Sequence, residues 1–254
     1  MNLKIIPLLV GYETWPRSYM NGPGHSNEPE QIPQIMFYIE GADKKILVDT
    51  GGGEPNSPAQ KKYHSGTFTR KPEEEPRYQL QTKCGVTPEE IEMVILTHLH
   101  WDHIGGINDY PNAEFVVQIS EMYDSINPIA RFAKTYESFS IGAVPPWAQQ
   151  PRKWRFIDGD VEIAPGIWGY LTPGHSKGIM GIGIETKKGM ILIAGDSLPL
   201  YDNIGSDLKV VPSMLSWNLE AAFKSCDKVN AMKLHDIIPG HDAKVFNHSA
   251  YPHD

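Results

Sequence analysis

A cluster of potential metal ligands follows directly after an apolar stretch in the first half of the sequence. Residues 94–96 (Val-Ile-Leu) predict a buried strand, and residues 97–106 then read Thr-His-Leu-His-Trp-Asp-His-Ile-Gly-Gly. Alternate side chains of an extended segment share a face, so the two histidines of the His-x-His pair can point at one ion. The Asp-His pair follows where the chain should turn and can reach a second ion. The four candidate ligands are His98, His100, Asp102 and His103.

The alternative interpretation of this stretch is a surface loop that is polar for reasons of solubility. A histidine cluster is, however, the commonest way for a protein to hold Zn, Fe or Ni. Gly105 and Gly106, which follow the cluster, permit either close backbone packing or a turn with positive φ. We therefore interpret the stretch as a metal site at the end of a strand.

The cluster resembles the His-x-His-x-Asp-His signature of the metallo-β-lactamase superfamily. The rest of that superfamily pattern follows in the same order, between residues 46 and 242. Its further members are Asp49 in Asp-Thr-Gly, His175 in Thr-Pro-Gly-His-Ser, Asp196 in Ile-Ala-Gly-Asp-Ser and His241 in Ile-Pro-Gly-His-Asp. Each of these residues comes immediately after a predicted strand.

The resemblance implies an α/β fold, a four-layer αββα sandwich with two mixed sheets face to face and helices outside. It implies one domain over residues 1–254, and residues 51–83 are expected to form a lid or loop excursion from it. It also implies that one metal ion is held by His98, His100 and His175, the other by Asp102, His103 and His241, with Asp196 bridging both. Seven N and O ligands for two ions leave open positions, which is typical of a catalytic site. Asp49 is expected to accept a hydrogen bond from a ligand imidazole, or else to cap the strand end.

Composition restricts the remaining classes of function. The chain has 254 residues, 40% hydrophobic and 21% charged, which suits one large globular domain or two small ones. A net charge of −8 without a basic run argues against a nucleic-acid partner. Cys84 and Cys226 are too few for a disulfide framework, and helical spacing predicts Cys226 as a core residue. No stretch approaches the roughly 20 apolar residues of a membrane span, and we expect a cytoplasmic protein without a signal peptide.

Periodicity and turn residues predict the secondary structure. Strands are expected at residues 3–10, 34–39, 45–49, 93–97, 113–118, 154–157, 161–163, 167–171, 179–185, 190–194 and 235–239. Short turns between neighbouring strands predict hairpins at 34–49, 154–163 and 179–194. Helices are expected at 87–90, 120–125, 128–140 and 216–233.

Two stretches, residues 11–33 and 51–83, have the composition of long loops. Their aromatic and charged side chains either cover a substrate pocket or pin the loops to the body of the protein. These side chains are Tyr12, Trp15, Tyr19, Met20, His25, Tyr63, His64, Phe68, Arg70 and Tyr78. The histidines without a place in the superfamily pattern are expected to have surface or core roles; they are His25, His64, His235, His248 and His253.

Within the superfamily, the sequence is most similar to the N-acyl homoserine lactonase and 4-pyridoxolactonase group. Antibiotic-cleaving lactamases commonly use Cys or lack a residue at the bridging position, where this chain has Asp196. Flavodiiron oxygen reductases carry Glu in place of His100. The C-terminal helical region of glyoxalase II is not expected in residues 242–254, and the long basic arm of the tRNA-processing members is not visible.

The resemblance implies a hydrolase that opens a lactone, or a similar cyclic ester or amide, by attack of a metal-bridging hydroxide on the ring carbonyl. It implies two divalent metal ions, with Zn²⁺ favoured and Fe, Mn or Co also suited to these ligands. In the lactonases such activity serves quorum quenching. The same two ions would also serve a phosphodiester, phosphotriester or thioester hydrolase. Homodimers are common among these relatives, so a second copy of the chain is the protein partner that the resemblance suggests.

Two residues are predicted to act in catalysis beside the metal ions. The leaving alkoxide is expected to take its proton from Asp102, from Tyr201 or from water. Lactonases acting on acyl homoserine lactones have a Tyr three residues after the bridging Asp, where this chain has Pro199. Either Tyr201, two residues further on, takes that role through a different loop path, or the substrate differs. The departure at Pro199 favours lactone or cyclic-amide opening in general over acyl homoserine lactones in particular.

Overall fold

Two β-sheets form the centre of the molecule. The computed structural model describes residues 2–21, 25–64 and 67–253, and over these ranges the strands form a six-stranded and a five-stranded sheet. The strands are β1 (Lys4–Pro16), β2 (Pro29–Glu40), β3 (Ile46–Val48), β4 (Met93–Ile95), β5 (Glu114–Gln118), β6 (Lys153–Ile157), β7 (Val161–Ala164), β8 (Ile167–Leu171), β9 (Met180–Thr186), β10 (Gly189–Ile193) and β11 (Leu234–Ile238). The helices are α1 (Arg17–Asn21), α2 (Pro58–Tyr63), α3 (Pro76–Cys84), α4 (Trp101–Ile104), α5 (Ile119–Ile126) and α6 (Leu219–Ala231).

Both sheets are mixed, as predicted. The first sheet has the order β1-β2-β3-β4-β5-β6, with antiparallel pairing from β1 to β3 and parallel pairing from β3 to β6. The second has the order β11-β10-β9-β8-β7, and only its β10–β11 pair is parallel. The strands that lead into the predicted ligand residues are β4 in the first sheet and β8, β10 and β11 in the second. These last three strands run in the same direction, so they end at the same edge of their sheet.

Apolar side chains fill three layers between the sheets and helices. Ile95 of the first sheet and Ile182 of the second belong to one buried cluster, so the two sheets pack face to face. Leu47 packs with Leu80 of α3 on the outer side of the first sheet. Cys226 of α6 packs on the outer side of the second sheet, as its helical spacing predicted. The architecture is therefore the predicted αββα sandwich. No helix in the described ranges is long and apolar enough to cross a membrane.

The predicted loop at residues 11–33 is wrong at both ends. β1 continues to Pro16 and β2 begins at Pro29, and the two strands remain paired antiparallel. A register shift between Leu9 and Tyr12 places Gly11 at a β-bulge with φ of 130°, a conformation that favours glycine. Residues 22–24 lie outside the described ranges. The bulge lets the strand pass through a stretch whose composition is that of a loop.

The predicted hairpin at residues 154–163 is also wrong, whereas those at 34–49 and 179–194 are confirmed. β6 pairs with β5 in the first sheet, and β7 pairs with β8 in the second. The turn between them is therefore the crossover from one sheet to the other. Gln118 fixes this crossover, since its side chain donates to Gly159 O at 2.7 Å and accepts from Gly159 N at 3.0 Å.

The helix predictions differ from the structure in three places. Residues 128–140 form short 3₁₀ turns at Ala130–Phe132 and Phe139–Ile141, and the left-handed φ of 47° at Glu137 prevents a continuous helix. α6 begins after Asn218, whose side chain accepts from Ala221 N at 3.0 Å, and not at residue 216. Residues 51–83 contain α2 and α3 instead of lacking regular structure. A lid role for that segment stays a prediction.

Candidate metal centre

All seven predicted ligand residues lie at one edge of the sandwich. The cluster of four follows β4 in the first sheet, and the remaining three follow β8, β10 and β11 in the second. Their ligand atoms form two groups, each with its members within 4.8 Å of one another. The first group is His98, His100 and His175, and the second is Asp102, His103, Asp196 and His241. The site therefore depends on both sheets being packed together.

The spacing of the ring nitrogens suits metal coordination. His100 Nδ1 lies 2.9 Å from His175 Nε2, and His103 Nε2 lies 3.2 Å from His241 Nε2. Two nitrogens bound tetrahedrally to zinc at its usual bond length are roughly 3.3 Å apart. His98 Nε2 is buried and has no hydrogen-bond partner among the described residues, a costly arrangement unless the nitrogen binds an ion.

Asp196 lies between the two groups. Its Oδ2 is 3.3 Å from His175 Nε2 and 4.0 Å from His98 Nε2. Its Oδ1 is 3.1 Å from His103 Nε2 and 2.8 Å from His241 Nε2. One carboxylate thus faces both groups, one oxygen to each, which is the geometry that a bridging ligand requires.

Acceptors on the far side of the rings orient four of the histidines. In each case Nδ1 lies within hydrogen-bond distance of an oxygen, so Nδ1–H can donate and Nε2 remains free to bind an ion. The acceptors are Thr97 Oγ1 for His98 (3.1 Å), Asp49 Oδ2 for His103 (2.8 Å), Leu215 O for His175 (2.7 Å) and Pro33 O for His241 (2.9 Å).

The comparisons with known proteins agree with this geometry. The sequence pattern described as "Metallo-beta-lactamase superfamily" matches residues 33–241. The chain belongs to the metallo-beta-lactamase superfamily. It is a metal-dependent hydrolase of that superfamily.

Several superfamily members with lactonase names are similar to this chain. An N-acyl homoserine lactonase of Bacillus cereus is 28% identical over 229 residues, covering 85% of this chain and 86% of the relative. A structure of a Bacillus thuringiensis AiiA mutant with N-decanoyl-L-homoserine at its active site has a TM-score of 0.75 at 24% identity, covering 97% and 96% of the two chains. AidC, described as a dizinc quorum-quenching lactonase, has a TM-score of 0.70 at 19% identity, covering 95% and 88%. These structural likenesses show that the fold is shared.

Asp49 joins the strand end to the superfamily's metal motif. Its backbone has a left-handed φ of 59°, which turns the chain after β3. Its Oδ1 accepts from Thr97 N at 2.7 Å, and its Oδ2 accepts from Thr97 Oγ1 at 2.7 Å and from His103 Nδ1 at 2.8 Å. Asp49 therefore has both of the roles that the sequence offered as alternatives: it accepts a hydrogen bond from a ligand imidazole, and it turns the chain at the strand end.

Replacing Asp49 with asparagine is expected to weaken metal binding about 10–100-fold, the range typical for losing a ligand's hydrogen-bond partner. The amide NH₂ would replace one carboxylate oxygen and would then face hydrogen-bond donors. It would face Thr97 N–H in one orientation, and Thr97 O–H with His103 N–H in the other. Chelator competition on the purified protein measures the change. Asp43→Asn, at an exposed turn, is the matched control. Equal affinity in Asp49→Asn and the control would contradict this role.

Two close-packed glycines bring residues 50–53 against α4. A Cβ on Gly105 would lie 2.3 Å from Gly53 N, and one on Gly106 would lie 2.5 Å from Thr50 O. Neither glycine has a positive φ, so close backbone packing is the reason for the Gly-Gly pair. This packing holds the metal motif against the strand end that carries Asp49.

The histidines of the two ligand groups have pKa values that are shifted in opposite directions in the metal-free protein. Burial and neighbouring imidazoles hold the pKa of His98 and of His100 well below the usual value, so both rings are neutral, the form that binds metals. Burial also acts to lower the pKa of His241, but the adjacent Asp196 carboxylate outweighs it and raises this pKa to about 9. The pKa of His103 is raised well above its usual value in the same way. Protons and metal ions therefore compete for the second group.

Metal uptake by the second group is expected to strengthen as the pH rises from about 6.5 to about 9. The proton on His241 stabilises the metal-free fold below a pH of about 6.5, and this contribution is lost as the pH rises through the folded pKa. Because an ion displaces that proton, apparent affinity should rise roughly tenfold per pH unit for each proton released. Competition titrations with a chelator across this range measure the slope. An affinity independent of pH would contradict the assignment.

A cavity of about 240 Å³ opens onto the ligands of this superfamily site. Its floor includes His100, Asp102, His175, Asp196 and His241. Its walls are largely apolar and aromatic, formed by Trp15, Tyr19, Met20, Ile32, Tyr63, Trp101, Phe132 and Leu215, together with polar or charged Glu13, His64, Arg131, Lys134 and Thr135. The rings of Trp15 and Tyr19 are stacked at 4.9 Å, which makes a flat apolar surface on this wall.

The two predicted loops contribute seven residues to this cavity. The first stretch provides Glu13, Trp15, Tyr19, Met20 and Ile32, and the second provides Tyr63 and His64. His64 was a candidate for covering the pocket and, as a histidine outside the superfamily pattern, for a surface or core role. It lines the cavity, with its ring stacked on Trp101 at 4.4 Å and its Nε2 3.0 Å from Glu137 Oε1. Sequence reasoning missed Phe132, which lies in a segment predicted as a helix, and Glu13, which lies in the first stretch but was not among its candidate pocket residues.

Tyr201 is not among the residues that line this cavity. Its side chain packs against the apolar cluster between the sheets, to which Tyr251 also belongs. Its backbone N donates to Asp242 Oδ2 at 3.1 Å, which ties this turn to the residue after His241. Tyr201 therefore begins a 3₁₀ turn (Tyr201–Asn203) outside the cavity lining, and its contact with a substrate stays a prediction.

Proposed function

We propose that this superfamily member opens lactone rings with a pair of divalent metal ions. The observation that carries the proposal is the convergence of seven ligand-type side chains, five of which form the floor of a cavity with largely apolar walls. A lactone has the matching chemistry, because its polar ester can lie at the ligands while its apolar portion lies against the walls. Relatives named N-acyl homoserine lactonases support the same class of substrate.

The donor set fits two ions, with zinc favoured. His98, His100 and His175 would hold one, Asp102, His103 and His241 would hold the other, and Asp196 would contact both. Imidazole and carboxylate ligands at these spacings suit zinc, while iron, manganese and cobalt accept the same donors. Two such ions supply a hydroxide at near-neutral pH and polarise a carbonyl group.

The protein's own groups position the substrate and move a proton. Trp15, Tyr19 and Phe132 bury the apolar portion of the substrate and exclude water from the ligand residues. Asp102, whose side chain is 12% exposed, is open to the cavity. We assign to its carboxylate the transfer of a proton from the attacking hydroxide's O–H to the leaving ring oxygen as the ring C–O bond breaks, so that the products are a carboxylate and an alcohol on one chain.

A substrate panel tests the proposal. The protein is loaded with Zn²⁺ to a measured stoichiometry and assayed with an acyl homoserine lactone, a simple γ-lactone, a cyclic amide, an aryl phosphotriester and a thioester. We expect the highest kcat/KM with one of the two lactones, and one acid released for each ring opened. A higher kcat/KM with the phosphotriester or the thioester would overturn the assignment, as would full activity in metal-free protein.

A further inference from the structure

Glu121 is a fully buried carboxyl group that lies behind the first group of ligands. It belongs to the first turn of α5, on the side of that helix that faces the sheet edge. Its Oε1 accepts from Leu99 N at 3.0 Å and from the Tyr136 hydroxyl at 2.8 Å. Its Oε2 accepts from the Ser176 hydroxyl at 2.7 Å and from Gly178 N at 2.9 Å.

Three of these four donors, Leu99, Ser176 and Gly178, belong to the segments that carry the first group, and the fourth, Tyr136, packs against His100. Leu99 lies between His98 and His100, and Ser176 directly follows His175. The ring of Tyr136 meets that of His100 edge-on at 4.5 Å. One oxygen of Glu121 is therefore bonded to the loop after β4, and the other to the loop after β8, although the two loops come from different sheets.

The packing around Glu121 leaves little freedom in this arrangement. A Cβ on Gly178 would lie 2.2 Å from Glu121 N, so the loop and the helix are in direct backbone contact. Removing a carboxylate from water costs several kcal/mol, and that cost is offset only where hydrogen bonds satisfy both oxygens. The four donors meet this requirement with a carboxylate, because two of them are backbone N–H groups that can only donate.

We propose that Glu121 is a positioning residue that sets the spacing between the His98–His100 loop and the His175 loop, and thereby the affinity of the first group for its metal ion. This inference rests on the proposed metal site and adds a determinant of its affinity. Glu121 does not touch the cavity, so it acts only through the loops it joins. The second group keeps its own supports at Asp49 and Pro33 and should be unaffected.

Glu121→Gln is the decisive variant, because glutamine has the same shape but replaces one acceptor oxygen with a donor. The NH₂ group must then face either Leu99 N–H or Gly178 N–H, so one of the two loops is released. Tyr136→Phe is the matched control, since it removes one hydrogen bond to Glu121 and keeps both loop contacts and the ring against His100.

The measurement is metal stoichiometry under chelator competition, with cadmium NMR of the Cd²⁺-loaded protein to distinguish the two groups. We expect Glu121→Gln to bind the first ion about 10–100-fold more weakly while the second resonance keeps its position. Tyr136→Phe should retain both ions. Ser176→Ala, which removes a single contact to Oε2, should give a smaller loss at the first group and serves if Glu121→Gln does not fold.

The outcomes separate the two proposals. Wild-type affinity at both groups in Glu121→Gln would overturn the positioning role. Equal loss of affinity at both groups, together with lower thermal stability, would also overturn it, because Glu121 would then act only in general packing. A wild-type protein that binds two ions but opens no lactone would overturn the proposed function and leave the role of Glu121 intact. A wild-type protein that binds no ion would overturn both.

Discussion

Replacing Asp196 with asparagine is expected to abolish lactone opening and to remove both ions from the purified protein. The carboxylate faces the two groups with one oxygen each, so an amide must turn its NH₂ toward one set of ring nitrogens. The loss of metal affinity should exceed the 10–100-fold that is typical for residues behind the ligands. Metal analysis and kcat/KM measured on the same sample test this result.

The control for this substitution is Asp207→Asn, which changes an exposed carboxylate in the loop before the last helix and should leave metal content and turnover unchanged. Thermal unfolding of both variants separates loss of metal from loss of the fold. An Asp196→Asn protein that retains two ions and normal turnover would contradict the bridging role.

Removing the metal ions is expected to lower the melting temperature by roughly 8–16 °C. Binding at a thousandfold excess over Kd stabilises a fold by about 4 kcal/mol, and each kcal/mol shifts the midpoint by about 2–4 °C in a chain of this size. The physical reason is that the ligands come from both sheets, so an ion bound to them links the two halves of the sandwich. Thermal scans before and after treatment with a chelator measure the change.

Adding back Zn²⁺ should restore the higher midpoint. Mg²⁺ at the same concentration should not, because it prefers oxygen ligands and retains its water, whereas this site is rich in imidazole. Identical midpoints with and without bound Zn²⁺ would contradict a link between the sheets.

The ligand positions were predictable because each follows a strand within a few residues. A short apolar run predicts the strand, and the Gly-His, Gly-Asp or His-x-His pair that follows marks where the strand ends. Since a four-layer sandwich collects strand ends of this kind at one edge, His175, Asp196 and His241 could be expected beside residues 98–103. The αββα class followed from the same pattern and from the superfamily resemblance.

Contacts between distant segments could not be predicted in this way. The Asp158-Gly159-Asp160 turn has the composition of a hairpin, and only pairing with β5 and β8 makes it a crossover. Gly11 looked like the start of a loop because a β-bulge and a strand end have the same local signal. Glu121 has the sequence context of a solvent-exposed acid in a first helical turn, and its burial depends on loops more than 20 residues away along the chain in one case and more than 50 in the other.

The order of the ligands along the chain has a consequence for biosynthesis. Four of them precede residue 104, while His175, Asp196 and His241 follow at long intervals. A ribosome delivers the N-terminal part first, so the growing polypeptide exposes its histidine-rich motif well before a complete cradle exists. Both metal ions can be bound, and turnover can begin, only after His241 has emerged and β11 has joined its sheet.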